Sequence, residues 1–208
     1  MGYHLNERKI EAELGEDELD HNVQRLGYWP KYNQKSAISA TEWEGLKVSR
    51  LPVFKGPLFV GIKYGNDGAN VAMSIAVRTL SGKVFVETID CQSVRNGNQW
   101  IINFLKNADV AAVTIDGQSG QSILVKEMKD FRLKSPILPK VSEIINANSS
   151  WEQGIFQKSI CHNDQPSLTT VVTNCEKRNI GSSGGFGYKS QFDDMDICLL
   201  YTSPSPRD

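Results

Sequence analysis

The sequence predicts an α/β fold built on a mixed sheet, with three antiparallel strands followed by parallel strands and helices flanking them. Two observations carry that expectation. Three apolar runs between residues 58 and 91 are separated only by short polar turns, and sequential strands joined this way are antiparallel neighbours. From residue 98 onward, segments with apolar residues at helical spacing alternate with short apolar runs, the order of a layered α/β domain.

The elements follow in turn. LFVGIKYG reads as a buried strand, and VAMSIAVRTL and KVFVETIDC as two more, with NDGAN and SGK as the turns between them. In NQWIINFLKNA, Trp100, Ile101, Phe104 and Leu105 recur at the spacing of one helix face. VAAVTIDG has the continuous apolar character of a central parallel strand. QSILVKEMKDF supplies the next helix, SPILPKV a further strand, and residues 142–159 another helix. Three antiparallel strands followed by this alternation is the order of the RNase H-like fold. Fold order by itself licenses no function.

Ahead of this domain the text differs. Residues 1 to about 25 permit a helix with Leu5, Ile10, Leu14 and Leu19 as a weak stripe. From Gly27 to Pro57 the chain carries three prolines and several aromatics, with one short helical piece near Ser39 or Thr41, where Thr41 and Glu44 have capping-box spacing. Residues 1–57 are therefore read as an arm and linker, and 58–197 as the domain.

Bulk properties exclude several classes. Hydrophobic residues make up 39% of the 208 and mean hydropathy is -0.36, values of a soluble globular chain. No apolar run approaches the ~20 residues of a membrane span, and the acidic N-terminus has no secretory apolar stretch, so a cytoplasmic setting is expected. Cys91, Cys161, Cys175 and Cys198 form no C-x-x-C pair, and Cys161-His162 lacks a second ligand pair at zinc spacing; buried free thiols are expected. A net charge of -1 and a pI near 6.3 give no global case for nucleic-acid binding, so any such site must be local.

Hydrolysis of phosphodiesters with two metal ions needs several converging carboxylates, and hard divalent ions prefer oxygen ligands. Three places offer them. Asp116 ends the strand VAAVTID, where its carboxylate emerges at the carboxyl edge of the sheet; its alternative role is to cap a helix beginning near Ser119. Asp67, in the NDG turn, reads on its own as a turn residue. Asp193, Asp194 and Asp196 crowd a helix start, where acids suit the dipole but repel one another unless a cation joins them.

The glycine-rich GSSGGFGYKS, residues 181–190, reads as a flexible hairpin; its backbone amides are also suited to a phosphate, but it is not a P-loop. Lys177, Arg178 and Lys189 flank it as candidate contacts to a DNA backbone or as a solvated face. His162 reads as a polar residue at a helix end rather than a site group.

Four segments, RLGYWPKYNQKSAIS, LFVGIKYGNDGANVAMSIA, VTIDGQSGQ and ICHNDQPSLTTVVTNCEKRNIGSSGGFGYKSQFDDMDI, together resemble the nuclease domain of tailed-phage terminase large subunits, over roughly residues 24 to 197 in order. That resemblance implies a divalent-metal-dependent endonuclease using Mg2+ or Mn2+, with two ions, to cut concatemeric double-stranded DNA during packaging. It also implies an ATPase portion preceding residue 1, partnership with the portal and small terminase subunit through the full-length protein, and a setting in the cytoplasm of the infected bacterial host. This chain contains no Walker motif.

Carried over by residue, the resemblance makes Asp116 a metal ligand, with Asp196 and neighbouring Asp194 at the acidic start of the last helix. Where many members of the family have an aspartate on the first strand, this sequence has Lys63; either Asp67 replaces it or the site is incomplete. The remaining tail, residues 198–208 (CLLYTSPSPRD), resembles translated adaptor sequence and is expected not to be native protein. Other readings are an actin-like ATPase or sugar kinase, a non-catalytic DNA-binding module of the motor, and an RNase H-like resolvase or transposase.

Overall fold

In the computed structural model, residues 36–65, 68–181 and 184–190 are described. The first three strands form as the sequence predicts: β1 (Leu58–Tyr64), β2 (Asn70–Arg78) and β3 (Val84–Ser93) run antiparallel in order. After α2 (Gln99–Asn107), strand β4 (Val110–Asp116) returns beside β1 and parallel to it. A two-residue β5 (Ile160–Cys161) adds to the far edge, giving the order β4-β1-β2-β3-β5. The sheet is mixed because a hairpin turn can reverse the chain within a few residues, whereas the return to β1 needs the length of a helix.

Strand alternation divides the side chains between two layers. Val60, Ile62 and Tyr64 of β1, with Val113 and Ile115 of β4, face α2 and α3 (Gln121–Asp130), where they meet Ile101, Ile102, Leu105, Leu124 and Met128. Within α2 the buried residues are Ile101, Ile102 and Leu105; Trp100 and Phe104 are only partly covered, so the face is rotated slightly from the expected one. The opposite layer holds α4 (Val141–Phe156), α5 (Pro166–Thr173) and an antiparallel hairpin, β6 (Cys175–Ile180) with β7 (Gly185–Ser190).

The segment before β1 also belongs to this second layer. Helix α1 (Ala40–Glu44) is capped by Ser39, whose hydroxyl accepts from the Glu42 amide while Glu42 accepts from the Ser39 amide, so the capping box begins two residues before the expected Thr41. Ile38, Trp43 and Leu46 are buried with Val86, Ile155 and Leu168. Part of the stretch read as an arm thus packs into the domain.

SPILPKV forms no strand. Ile137 alone bridges to β4, donating to Val113 O at 2.7 Å and accepting from Ile115 N at 3.0 Å. Pro136 and Pro139 flank it without N–H groups, so a ladder cannot extend in either direction. Helix α4 ends at Phe156, earlier than expected, because Lys158 turns left-handed (φ 54°) and releases the chain into β5. Cys91 is exposed rather than buried, while Cys161 and Cys175 are buried as expected.

His162 is a core group rather than a helix-end residue. Its ring is stacked on Trp43 at 3.9 Å, Nε2 donates to Trp43 O at 2.8 Å, and Nδ1 accepts from the Asp164 amide at 3.0 Å. Burial lowers its pKa from 6.5, opposed by the hydrogen bond to Trp43 O and by Asp164 and reinforced by Lys47. The unfolded chain therefore binds this proton more tightly than the folded one. The stability that this contributes is fully present above the unfolded value and is lost as pH falls from there toward the lower folded value. Urea midpoints are expected to drop between pH ~7.5 and ~5, and less steeply for His162→Gln. Equal slopes in the two proteins would refute the assignment.

Candidate active-site cleft

The carboxyl end of β1 and β4 is where the chemistry-bearing residues gather. Since Val113 and Ile115 point to the α2 and α3 layer, Thr114 and Asp116 point to the other. The same alternation on β1 turns Lys63 that way. The parallel register sets Lys63 directly opposite Asp116, and the Lys63 ammonium forms an ion pair with Asp116 Oδ2. Asp116 Oδ1 accepts from the Gly117 amide at 2.8 Å. Asp116 does not cap the following helix, which starts at Gln121 with Gly120 at its cap and no side-chain cap bond.

The turn after Asp116 is shaped by Tyr64. This side chain is buried, and its hydroxyl donates to Asn98 Oδ1 at 2.8 Å, while Asn98 Nδ2 donates to Glu127 Oε2 at 2.8 Å. Burial pushes the Tyr64 hydroxyl far above the usual tyrosine pKa, with Glu127 adding to the shift and the Asn98 bond opposing it. Gly117, at φ 99°, and Gly120 pass so close to Tyr64 that neither has room for a side chain. Ser119 fastens the turn to β1 by donating to Gly65 O at 3.0 Å, and Gln121 donates to Ile115 O at 2.8 Å.

Lys63, Gly65, Asp116, Gly117, Gln118 and Ser119 form one wall of a cleft of about 460 Å³; Val141 and Ile144 of α4, with Arg178, Ile180 and Gly181 of the hairpin, form the other. The hairpin reaches this position because Gly185 lies directly against Ile145 and Asn148 Nδ2 donates to Phe186 O at 2.9 Å. Of the three basic residues singled out from sequence, Arg178 lines the cleft. Lys177 is paired with Glu152 and lies over the Phe186 ring, and Lys189 is paired across the hairpin with Glu176 at 2.7 Å. Asp67, Asp193, Asp194 and Asp196 lie outside the described residues. The hydrophobic wall from α4 had no signal in the sequence. The tight turn had one, in the two glycines of DGQSG.

A divalent ion prefers several oxygen ligands. Among the described residues no cluster of three or more His, Cys, Asp or Glu could hold a metal, and the carboxylate in the cleft already accepts from an ammonium and an amide. The described residues alone therefore do not fit a bound metal pair.

A five-stranded mixed sheet with an acidic residue at the carboxyl end of the parallel strand next to β1 defines the class, an RNase H-like α/β domain. Within that class the fold is that of the nuclease domain of phage large terminases. The HK97 bacteriophage large terminase is similar with a TM-score of 0.58 and 14% identity, over 90% of this chain and 47% of that one. The large terminase nuclease from thermophilic phage G20c with bound magnesium is similar with a TM-score of 0.53 and 12% identity, over 77% of this chain and 90% of that one. The chain spans about half the length of the HK97 protein. Neither a protein-family model nor a curated protein matches it. No helix among the described residues is long and apolar enough to cross a membrane.

Proposed function

We propose that the chain is the nuclease module of a phage DNA-packaging terminase, a divalent-metal-dependent endonuclease that cuts concatemeric double-stranded DNA. The observation that carries this reading is the position of Asp116, at the carboxyl end of β4 in a cleft whose far wall presents Arg178. Its support from outside the chain is the likeness in fold to a terminase nuclease solved with bound magnesium. In this reading Asp67, Asp194 and Asp196 join Asp116 as ligands for Mg2+ or Mn2+, and Arg178 contacts the DNA backbone, with Lys177 and Lys189 further along the hairpin. The portal and small terminase subunit are partners through the full-length protein, in the cytoplasm of the infected bacterial host.

A second reading has one observation in its favour. The Lys63–Asp116 ion pair suits a module that holds DNA without cutting it. Nicking of supercoiled plasmid by the purified chain, in Mn2+ or Mg2+ against a chelator, separates the two. Metal-dependent nicking that falls to background in Asp116→Ala is the expected result. A folded chain that retards DNA on a gel but does not nick it selects the second reading, and one that does neither refutes both.

A further inference from the structure

The backbone ahead of β1 forms a short ladder with the end of β2. Phe54 bridges antiparallel to Thr79, the Lys55 amide donates to Arg78 O at 2.7 Å, and the Leu80 amide donates to Val53 O at 2.9 Å. Val53 therefore lies opposite Leu80 and Lys55 opposite Arg78, and by strand alternation these four side chains share one face. The other face is closed, with the Phe54 ring 5.2 Å from that of Phe85 and Thr79 buried. The open face carries Val53 at 67% exposure and Leu80 at 66%, and Leu51, two residues before Val53, is 64% exposed.

Two features of this face work against stability. Its apolar side chains stay in water and forgo the gain of burial. Like charges set opposite each other on adjacent strands repel, and among the described residues no carboxylate pairs with Lys55 or Arg78. A lone surface leucine needs no explanation, whereas apolar side chains grouped beside an uncompensated cationic pair form a patch. We infer that the ladder is a docking surface for a protein segment that carries apolar side chains beside carboxylates. Such a segment buries Val53 and Leu80 and sets its acids against Lys55 and Arg78, where the exclusion of water strengthens the attraction. A nucleic-acid backbone suits the face less, because surfaces that bind phosphates are polar throughout and this one has an apolar centre. A second copy does not suit it either: a two-fold contact of the patch with itself brings cations against cations, and Pro52 interrupts the edge against strand pairing. The ladder lies at the amino end of β1 and the cleft at its carboxyl end, so an occupant leaves the cleft open. The inference therefore does not depend on what the cleft does.

The test is fluorescence anisotropy of the full chain with a labelled twelve-residue peptide of leucine, valine, glutamate and aspartate, and with a counterpart in which lysine replaces every acid. A chelator is present throughout, so that no metal ion contributes. The acidic peptide is expected to bind and the lysine peptide not to, and affinity is expected to fall at least tenfold in Leu80→Ser and in Arg78→Glu. Arg78→Glu also sets a carboxylate opposite Lys55, so its thermal midpoint is expected to rise while its binding weakens, a combination that damage to the fold does not produce. Failure of the acidic peptide to bind the folded chain overturns the inference. So does equal binding of the lysine peptide, an affinity unchanged in either variant, or a midpoint that falls in Arg78→Glu. Displacement of the peptide by duplex DNA assigns the face to nucleic acid instead. A dimer seen by light scattering and abolished in both variants assigns it to a second copy, and either of these results overturns the inference as well.

Discussion

Replacing Trp43 with alanine is expected to cost about 3–5 kcal/mol of folding stability, the range for truncating a fully buried large aromatic. The side chain is 1% exposed, its ring is stacked on His162 and tilted against Trp151 at 6.0 Å, and its Nε1 donates to Thr169 Oγ1 at 3.1 Å. One residue of α1 thus touches α4, α5 and the residue following β5. The bonds through its carbonyl remain in the variant, so the loss reports the ring and its N–H. For a domain of this size the thermal midpoint is expected to fall by roughly 6–20 °C. Trp43→Phe keeps an aromatic ring against His162 and loses the N–H bond, and should cost much less. Urea unfolding followed by circular dichroism measures both, and a loss below about 1 kcal/mol for Trp43→Ala would mean that α1 is not anchored as described.

The second large effect is expected at the turn that presents Asp116. A methyl group on Gly120 would lie 2.2 Å from Tyr64 Cε1 and 2.7 Å from Cζ, and the ring cannot swing away while its hydroxyl is tied to Asn98. A methyl group on Gly117 would lie 2.5 Å from Tyr64 O and would sit on a residue at φ 99°. Each alanine should cost on the order of 1–3 kcal/mol from overpacking, and Gly117→Ala roughly as much again from its backbone conformation. The two obstructions differ in kind, so they respond differently to a second change. Tyr64→Ala should relieve Gly120→Ala, making the double variant less destabilised than the sum of the singles. It should leave the cost of Gly117→Ala in place, because the obstructing atom is backbone. Additive behaviour in the first pair would show that the Tyr64 ring is not what excludes a side chain at residue 120. Both variants should also weaken any activity that depends on Asp116, since the Gly117 amide orients that carboxylate.

How far the site could be read in advance depended on the range of the interactions involved. The position of Asp116 was legible because it needs only one apolar strand to end before a glycine, a pattern contained in eight residues, Val110 to Gly117. The unsuitability of Lys63 as a ligand was also visible, but its pairing with Asp116 was not. Arg178 could not be separated from Lys177 and Lys189 by composition. The hairpin register decides which of the three faces the cleft, and the glutamates Glu152 and Glu176 that take the other two come from α4 and β6. SPILPKV misled because its apolar residues suggest a strand, while its prolines leave Ile137 as a single bridge.

By itself the sequence determined strands β1 to β4, helices α2 and α3, the antiparallel order of the first three strands and the place of Asp116 at a strand end. These follow from side-chain periodicity and turn composition, which act between residues a few positions apart. Only the tertiary structure decided that Trp43 is buried against His162, that Gly120 lies against Tyr64, and that Lys63 neutralises Asp116. Those contacts join residues 119, 56 and 53 positions apart. They depend on strand register and on which helix covers which face, properties that exist only once the sheet has assembled and its two layers have closed over it.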